Sequence, residues 1–185
     1  MPRLRSILLA LVVPIAIGVG VGGNGVAQAT IVPGVSIGGA KLGDSSARIS
    51  ARFGEQPTRL GPEDDQPLFV MAFARIDGYA YFALPAVCAG DAEVEPPAGA
   101  CDADGPATYI LTRSRKQRTA RHLGPGVTEA TARRRLTGER CSTGFDTDIG
   151  RNARYCRVRT PGGKTETLYE FSRRRMISVA IQPLS

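Results

Sequence analysis

The chain has 185 residues, of which 24 are Lys or Arg and 17 are Asp or Glu, so it is basic overall with a formal net charge of +7. It contains four cysteines and a single histidine, His122. This composition argues against a zinc site, because no two cysteines have the short spacing of zinc ligands and a second histidine is lacking. We therefore predict no metal site and no cofactor.

Residues 1–29 have the pattern of a cleavable secretory signal peptide. Arg3 and Arg5 form a basic start, an uncharged apolar run follows, and Ala27-Gln28-Ala29 offers the small-x-small pattern of a cleavage site. The apolar run is shorter than the roughly 20 residues that a membrane-spanning helix needs. We therefore predict cleavage before Thr30 and a secreted or extracytoplasmic protein without a transmembrane segment.

Residues 30–112 are predicted to form a first α+β unit. The segment Gly43–Phe53 contains a hydroxyl residue suited to capping a helix, and Ile49 and Phe53 would share one helical face. Gly54 is expected to end this helix. The Asp77-Gly78 pair is a strong turn signal between two strands. The strands predicted in this unit are Leu68–Arg75, Tyr79–Leu84 and Thr108–Thr112.

The four cysteines all follow the predicted cleavage site, and an even number in an exported chain indicates disulfides. Three pairings are possible. The local pairing of Cys88 with Cys101 and of Cys141 with Cys156 is preferred, because each bond would close a long hairpin loop. On the loop-entropy model each closure stabilises the fold by about 3 kcal/mol.

Residues 113–185 are predicted to form a second α+β unit. The segment Gly126–Leu136 aligns without a gap with Gly43–Phe53, and both segments end in a large apolar residue preceded by Arg. This repetition predicts an α+β fold of two repeats, each a short helix or helix pair packed on a small antiparallel β-sheet. Ile49 and Leu136 would be buried beneath the two helices. The strands predicted in the second unit are Ala153–Arg159, Thr165–Phe171 and Met176–Ile181.

The openings of the two units carry a family resemblance. The run Gly38-Gly39-Ala40-Lys41-Leu42-Gly43, followed by a short helix and Phe53-Gly54-Glu55-Gln56-Pro57, resembles the start of the BamE/SmpA-like and β-lactamase-inhibitor-protein-like secreted modules. The run Gly124-Pro125-Gly126-Val127-Thr128-Glu129 resembles the second repeat of such tandem bacterial proteins. The resemblance implies a sheet that binds other proteins, in envelope-assembly factors as well as enzyme inhibitors.

Charge is distributed unevenly along the predicted mature chain. Residues 30–112 carry 5 Lys or Arg against 11 Asp or Glu, whereas residues 113–185 carry 17 against 6. The basic part, which includes Arg173, Arg174 and Arg175, is expected to attract anionic partners such as envelope polymers or acidic proteins. A nucleic-acid partner is not predicted, because no recognised binding motif is present.

Strand alternation points to an aromatic binding surface. If Phe82 and Leu84 pack beneath the helix, then Tyr79 and Tyr81 lie on the opposite sheet face. Tyrosine suits protein interfaces because it combines a large contact area with a polar tip. The candidate binding residues are therefore Tyr79, Tyr81, Arg173, Arg174 and Arg175.

No catalytic residue is predicted. The run Gly34-Val35-Ser36-Ile37-Gly38 matches the nucleophile-elbow pattern, but too little chain precedes it to build the supporting sheet, and we assign Ser36 to a flexible or edge position. The leading hypothesis is a non-enzymatic secreted protein that binds an envelope protein or inhibits a secreted enzyme. The alternatives are a small secreted hydrolase with an unrecognised carboxylate site, and a basic envelope-associated protein that binds anionic polymers.

Overall fold

The computed structural model describes residues 30–62, 68–84, 105–147 and 149–184. The predicted signal peptide and the predicted Cys88–Cys101 disulfide lie outside these residues. Within the described ranges, no helix is long and apolar enough to cross a membrane.

A small three-stranded antiparallel sheet lies at the start of the described chain. Its strands are β1 (Ile31–Val32), β2 (Ser36–Ile37) and β3 (Ala40–Lys41). Ile31, Ile37 and Ala40 are fully buried in the core. Ser36 is also buried, on the middle strand, so its assignment to a flexible or edge position is wrong. A turn and strand β3 follow this serine, where a nucleophile elbow would require a helix.

The first helix, α1 (Ser46–Phe53), forms where the sequence pattern predicts it. The Ser45 hydroxyl accepts a hydrogen bond from the Arg48 amide at 3.3 Å and so caps the first turn. Ile49 and Phe53 lie one helical turn apart and are both buried. Gly54 ends the helix in the left-handed conformation, with its amide donating to the Ser50 carbonyl at 2.8 Å.

Four antiparallel strands follow α1 and pair in chain order. A short 3-10 turn, Ala74–Ile76, joins the second of them to the third, and Asp77 continues it with a φ of 45°. Gly78 cannot carry a side chain, because a Cβ there would lie 2.0 Å from the Leu111 carbonyl oxygen. The strands are β4 (Thr58–Pro62), β5 (Leu68–Phe73), β6 (Gly78–Ala83) and β7 (Ala107–Thr112).

The second helix, α2 (Glu129–Arg135), is also followed by four antiparallel strands. Thr128 caps it by accepting a hydrogen bond from the Thr131 amide at 3.3 Å. Ala132 and Leu136 are its buried contacts with the core. The strands are β8 (Arg140–Asp146), β9 (Arg151–Arg159), β10 (Thr165–Ser172) and β11 (Arg175–Pro183).

The two groups of strands form one continuous eight-stranded antiparallel sheet, with the order β4-β5-β6-β7-β11-β10-β9-β8. The groups meet at the centre, where β7 pairs with β11 and Ile110 lies opposite Ile181. One core cluster contains buried residues of both helices, of the small sheet and of the large sheet. The helices and the small sheet therefore cover one face of the large sheet.

The predicted fold class is wrong. The chain is mostly β, with an eight-stranded sheet, a three-stranded sheet and only two short helices in the described ranges, rather than two helix-on-sheet repeats. The reason is the pairing of β7 with β11, which gives hydrogen-bond partners to two strands that would otherwise be unpaired edges. The division of the predicted mature chain between residues 112 and 113 stays a prediction.

The predicted Cys141–Cys156 disulfide is confirmed. The two cysteines lie directly opposite each other on β8 and β9, with their Cα atoms 4.1 Å apart. Because β8 is an edge strand of the large sheet, the bond fastens this edge to its neighbour. A disulfide is compatible with a location outside the reducing cytoplasm.

Candidate functional site

The face of the large sheet opposite the helices, here called the helix-free face, carries the two tyrosines selected from the sequence. Along β6, Gly78, Ala80 and Phe82 point into the core, whereas Tyr79 and Tyr81 alternate with them and are half-buried. A binding site that uses these two rings would therefore lie on the helix-free face.

Tyr109 joins the two tyrosines in a ladder of aromatic rings. It lies opposite Tyr81 on the adjacent strand β7. The ring centroids of Tyr81 and Tyr109 are 5.1 Å apart at an interplanar angle of 87°, and those of Tyr79 and Tyr81 are 6.4 Å apart at 79°. These edge-to-face contacts hold the three rings in fixed positions relative to one another. We call these residues the tyrosine ladder.

Arg113 adds a positive charge to one end of the tyrosine ladder. Its guanidinium carbon lies 5.1 Å from the centroid of the Tyr79 ring, within the range of a cation–π interaction. Arg113 belongs to the basic part of the chain and Tyr79 to the acidic part. Arg113 directly follows β7, whose pairing with β6 places Leu111 opposite Tyr79, so this pairing brings side chains of both parts to one surface.

An acidic pair, the buried Glu170 and the half-buried Asp146, lies on the same face, toward the second group of strands. Glu170 on β10 lies opposite Ser178 on β11, whose hydroxyl donates to Glu170 Oε2 at 2.5 Å. The second oxygen, Oε1, accepts no hydrogen bond from the N–H and O–H groups of the described residues. Asp146, at the end of β8, accepts a hydrogen bond from the Tyr155 hydroxyl at 2.8 Å.

The environment of Glu170 favours its protonated form. Burial, reinforced by a hydrogen bond with the Asp146 carboxyl group and by the charge of Asp146, raises the pKa of Glu170 to about 7. The Ser178 hydroxyl and the Arg113 guanidinium act in the opposite direction. A hydrogen bond between two carboxyl groups requires a proton on one of them, so the contact with Asp146 favours the protonated form of Glu170.

This pair predicts a pH-dependent contribution to stability. The ordinary pKa of the glutamate is 4.5 and the folded value is about 7, so the folded state binds the proton more tightly. The contribution of Glu170 to stability is therefore complete below pH ~4.5 and is lost as the pH rises through ~7, with a total of about 3 kcal/mol. Glu170→Gln should abolish this loss, measured as the free energy of unfolding in urea from pH 5 to pH 8.

Glu166 offers the matched control for the pH experiment. It is a second buried glutamate on the same strand, with an ion pair to Arg157 at 3.5 Å and a hydrogen bond from Gln182 at 2.7 Å. Glu166→Gln should leave the decline between pH 5 and pH 8 in place. If the free energy of unfolding declined with pH equally in Glu170→Gln and in the unchanged protein, the assignment of the proton to Glu170 would be contradicted.

Arginines dominate the far end of the helix-free face. Arg140 on β8 lies opposite Arg157 on β9, and Arg159 lies opposite Glu166. These residues line a cavity of about 500 Å³ near the edge of the sheet. The helix-free face thus changes from aromatic in its first half to basic at its far edge.

The structure separates the predicted arginine cluster from the tyrosines. Arg173 and Arg174 form the tight turn between β10 and β11, with φ values of 50° and 61°. The Arg174 carbonyl accepts from the Glu129 amide at 2.9 Å, and Arg175 pairs with Thr128. The cluster therefore lies beside α2, on the helix side of the sheet, around a cavity of about 560 Å³.

Three groups on the helix-free face were not predicted from the sequence: Tyr109, Asp146 and Glu170. Tyr109 was contained in a predicted strand, and the signal that could have identified it is its alternation with the buried Ile110. Asp146 and Glu170 are 24 positions apart in the printed sequence. Their proximity depends on the pairing of three strands, for which no local signal exists.

Comparisons of the chain with protein-family models, with curated proteins and with solved structures find no match.

Proposed function

We propose that the protein is a non-enzymatic, extracytoplasmic module that binds another protein through the helix-free face, with the tyrosine ladder at the centre of the contact. The observation that supports this proposal best is the ordered stack of three half-buried tyrosines on adjacent strands, with Arg113 against its end. Tyrosine and arginine are among the residue types that are enriched where binding energy is concentrated in protein interfaces.

Rigidity of the tyrosine ladder favours binding. Tyr79, Tyr81 and Tyr109 lie on strands that are paired on both sides, near the middle of the sheet. Side chains that are already ordered lose little conformational entropy when a partner arrives, so more of the contact energy appears as affinity. A partner with an apolar centre would bury these rings without rearranging the sheet.

The charges around the tyrosine ladder indicate the chemistry of the partner. Arg113 lies at one end of the tyrosine ladder, and Arg140, Arg157 and Arg159 lie at the far edge of the same face. Of these groups, Arg157 is ion-paired to Glu166. The positive sign of this edge favours a partner that presents acidic residues beside its apolar centre, and it would accelerate the encounter at low salt.

The tyrosine ladder can be tested in a binding experiment with variants. The mature chain would be used to capture partners from culture supernatant and envelope extract, and the partner would then be titrated against purified variants. Tyr79→Ala combined with Tyr81→Ala is expected to weaken binding by about 2 kcal/mol or more. A melting curve of the same variant separates loss of contact from loss of fold.

Phe145 provides the matched control for the tyrosine substitutions. It is 66% exposed on edge strand β8 and does not share the helix-free face, so Phe145→Ala removes an aromatic ring elsewhere. Binding should be unchanged in this variant. Equal losses of binding in the two variants would contradict the proposed face. If the tyrosine-to-alanine variant does not fold, two other results would together contradict it: full binding by Tyr79→Phe/Tyr81→Phe, and unchanged salt sensitivity of binding after Arg157→Gln.

The acidic pair favours a second candidate function, a small hydrolase with Glu170 as general acid. A carboxyl group with a pKa near neutrality is the property that such an acid needs. Against this function, Glu170 is only 7% exposed and its Oε2 atom is held by Ser178. An assay against glycoside and ester substrates decides between the two: activity that disappears in Glu170→Gln would support the hydrolase.

A further inference from the structure

A second site lies on the helix side of the sheet, away from the tyrosine ladder. A cavity of about 250 Å³ opens where the end of α2 meets strands β9 and β10. Leu123, Leu136 and Val158 give it an apolar lining, and Tyr169 borders it as well. We call it the Tyr169 cavity.

Tyr169 has an unused hydrogen-bonding group at this cavity. Its side chain is 1% exposed, and no hydrogen-bond partner of its hydroxyl is found in the part of the chain that the structure describes. The hydroxyl keeps a small accessible surface, so it is available to a ligand in the cavity. Burial raises the pKa of Tyr169 to about 12, against the opposing effect of the nearby Arg121, so the hydroxyl remains a donor at neutral pH.

Two arginines hold each other at the mouth of the Tyr169 cavity. Arg121 donates from Nη1 to the Arg135 carbonyl at 2.8 Å, and Arg135 donates from Nη1 to the Arg121 carbonyl at 3.1 Å. Each guanidinium has five N–H donors, so this reciprocal contact leaves further donors on both side chains. No carboxylate among the described residues forms an ion pair with either of them.

These groups together have the chemistry of a site for a small organic anion. Two fixed guanidinium groups without a carboxylate counter-charge favour a negative ligand, and planar guanidinium groups match the geometry of a carboxylate. The apolar lining favours a hydrocarbon group on the same ligand. For scale, an engineered protein cavity of about 150 Å³ binds benzene, so the larger Tyr169 cavity has room for a ring and a carboxylate.

We propose that the Tyr169 cavity binds a small monoanion in which a group of about the size of an aromatic ring carries a carboxylate. The hydrocarbon group lies against Leu123, Leu136 and Val158. The carboxylate accepts hydrogen bonds from the Tyr169 hydroxyl and from the guanidinium groups of Arg121 and Arg135. This site is independent of the proposed partner surface, which lies on the opposite face of the sheet.

Phenylacetate is a suitable probe, and phenylacetamide is its neutral counterpart of nearly the same shape. Both would be titrated against the mature chain by isothermal titration calorimetry and by NMR shifts of amides near Leu136 and Tyr169. Saturable binding of phenylacetate is expected, and phenylacetamide should bind at least about tenfold more weakly, because hydrogen bonds to a charged group are the stronger ones. Absence of saturable phenylacetate binding would overturn the proposal, and so would equal affinity for the amide.

Three substitutions test the assigned donors. Tyr169→Phe, Arg121→Gln and Arg135→Gln should each weaken phenylacetate binding by about tenfold, the usual effect of removing one hydrogen bond to a charged group. Arg133→Gln is the matched control, because this exposed arginine of α2 borders a different cavity. Unchanged affinity in all three variants, or an equal loss in the control, would overturn the assignment. Melting curves confirm that each variant is folded.

Discussion

Ile49→Ala is expected to lower the free energy of unfolding by about 2–5 kcal/mol, the range for truncating a large buried aliphatic side chain. Ile49 is fully buried and belongs to the core cluster that joins α1 to both sheets. Removal of three carbon atoms costs their transfer energy and leaves a void that the surrounding sheet cannot close. Urea denaturation followed by circular dichroism measures this loss directly.

Ile49→Val and Leu136→Ala give the comparisons that isolate packing at Ile49. The valine variant removes a single methyl group and should cost about 0.5–1.5 kcal/mol. Leu136 is 8% exposed and borders the existing Tyr169 cavity, so its truncation should lie at the low end of the same ~2–5 kcal/mol range. If Ile49→Ala lowered the free energy of unfolding by less than Ile49→Val does, α1 would not be packed on the core as described.

The helices could be predicted because their signals are local. Ser45 and Gly54 lie at the two ends of α1, and the buried Ile49 and Phe53 are one turn apart between them. These capping and burial signals all lie within ten residues of sequence. The hairpin at Asp77-Gly78 was legible for the same reason, although the connection proved to be a short 3-10 turn that places Gly78 at the start of β6.

Sheet organisation could not be predicted, because it depends on contacts between distant residues. Ile110 and Ile181 pair across the centre of the large sheet although 71 positions separate them in the printed sequence. Alternation indicates which face of a strand is buried but does not indicate its neighbour. Strand β8 escaped prediction for another reason: its residues are mostly exposed, so it lacks an apolar pattern.

The candidate site was predictable only in its aromatic part. Alternation along β6 was enough to place Tyr79 and Tyr81 on one face, since Phe82 is buried on the other. The position of the arginine cluster relative to these rings could not be predicted from the sequence. Arg174 accepts a hydrogen bond from the start of α2, and only the position of that helix shows that the cluster lies on the opposite side of the sheet.

Removal of the Cys141–Cys156 disulfide, in the variant Cys141→Ala/Cys156→Ala, is expected to cost about 3 kcal/mol, because the bond closes a 15-residue segment. The cost should appear mainly as local opening. Strand β8 is an edge strand whose residues are mostly exposed, so little buried apolar surface holds it against β9. Hydrogen exchange should therefore accelerate at the amides of β8 and β9, with much smaller changes at β5 and β6.

Opening of β8 should also release the acidic pair on the helix-free face. Asp146 ends β8, and its carboxyl group both accepts from the Tyr155 hydroxyl and contributes to the raised pKa of Glu170. When β8 separates from β9, Glu170 becomes hydrated and loses the charge that opposes its ionisation, so its pKa should move back toward the ordinary value. The variant without the disulfide should then lose most of the stability decline between pH 5 and pH 8 that Glu170→Gln abolishes. A full decline in that variant, together with accelerated exchange in β8, would show that burial by β10 and β11 alone holds the proton on Glu170.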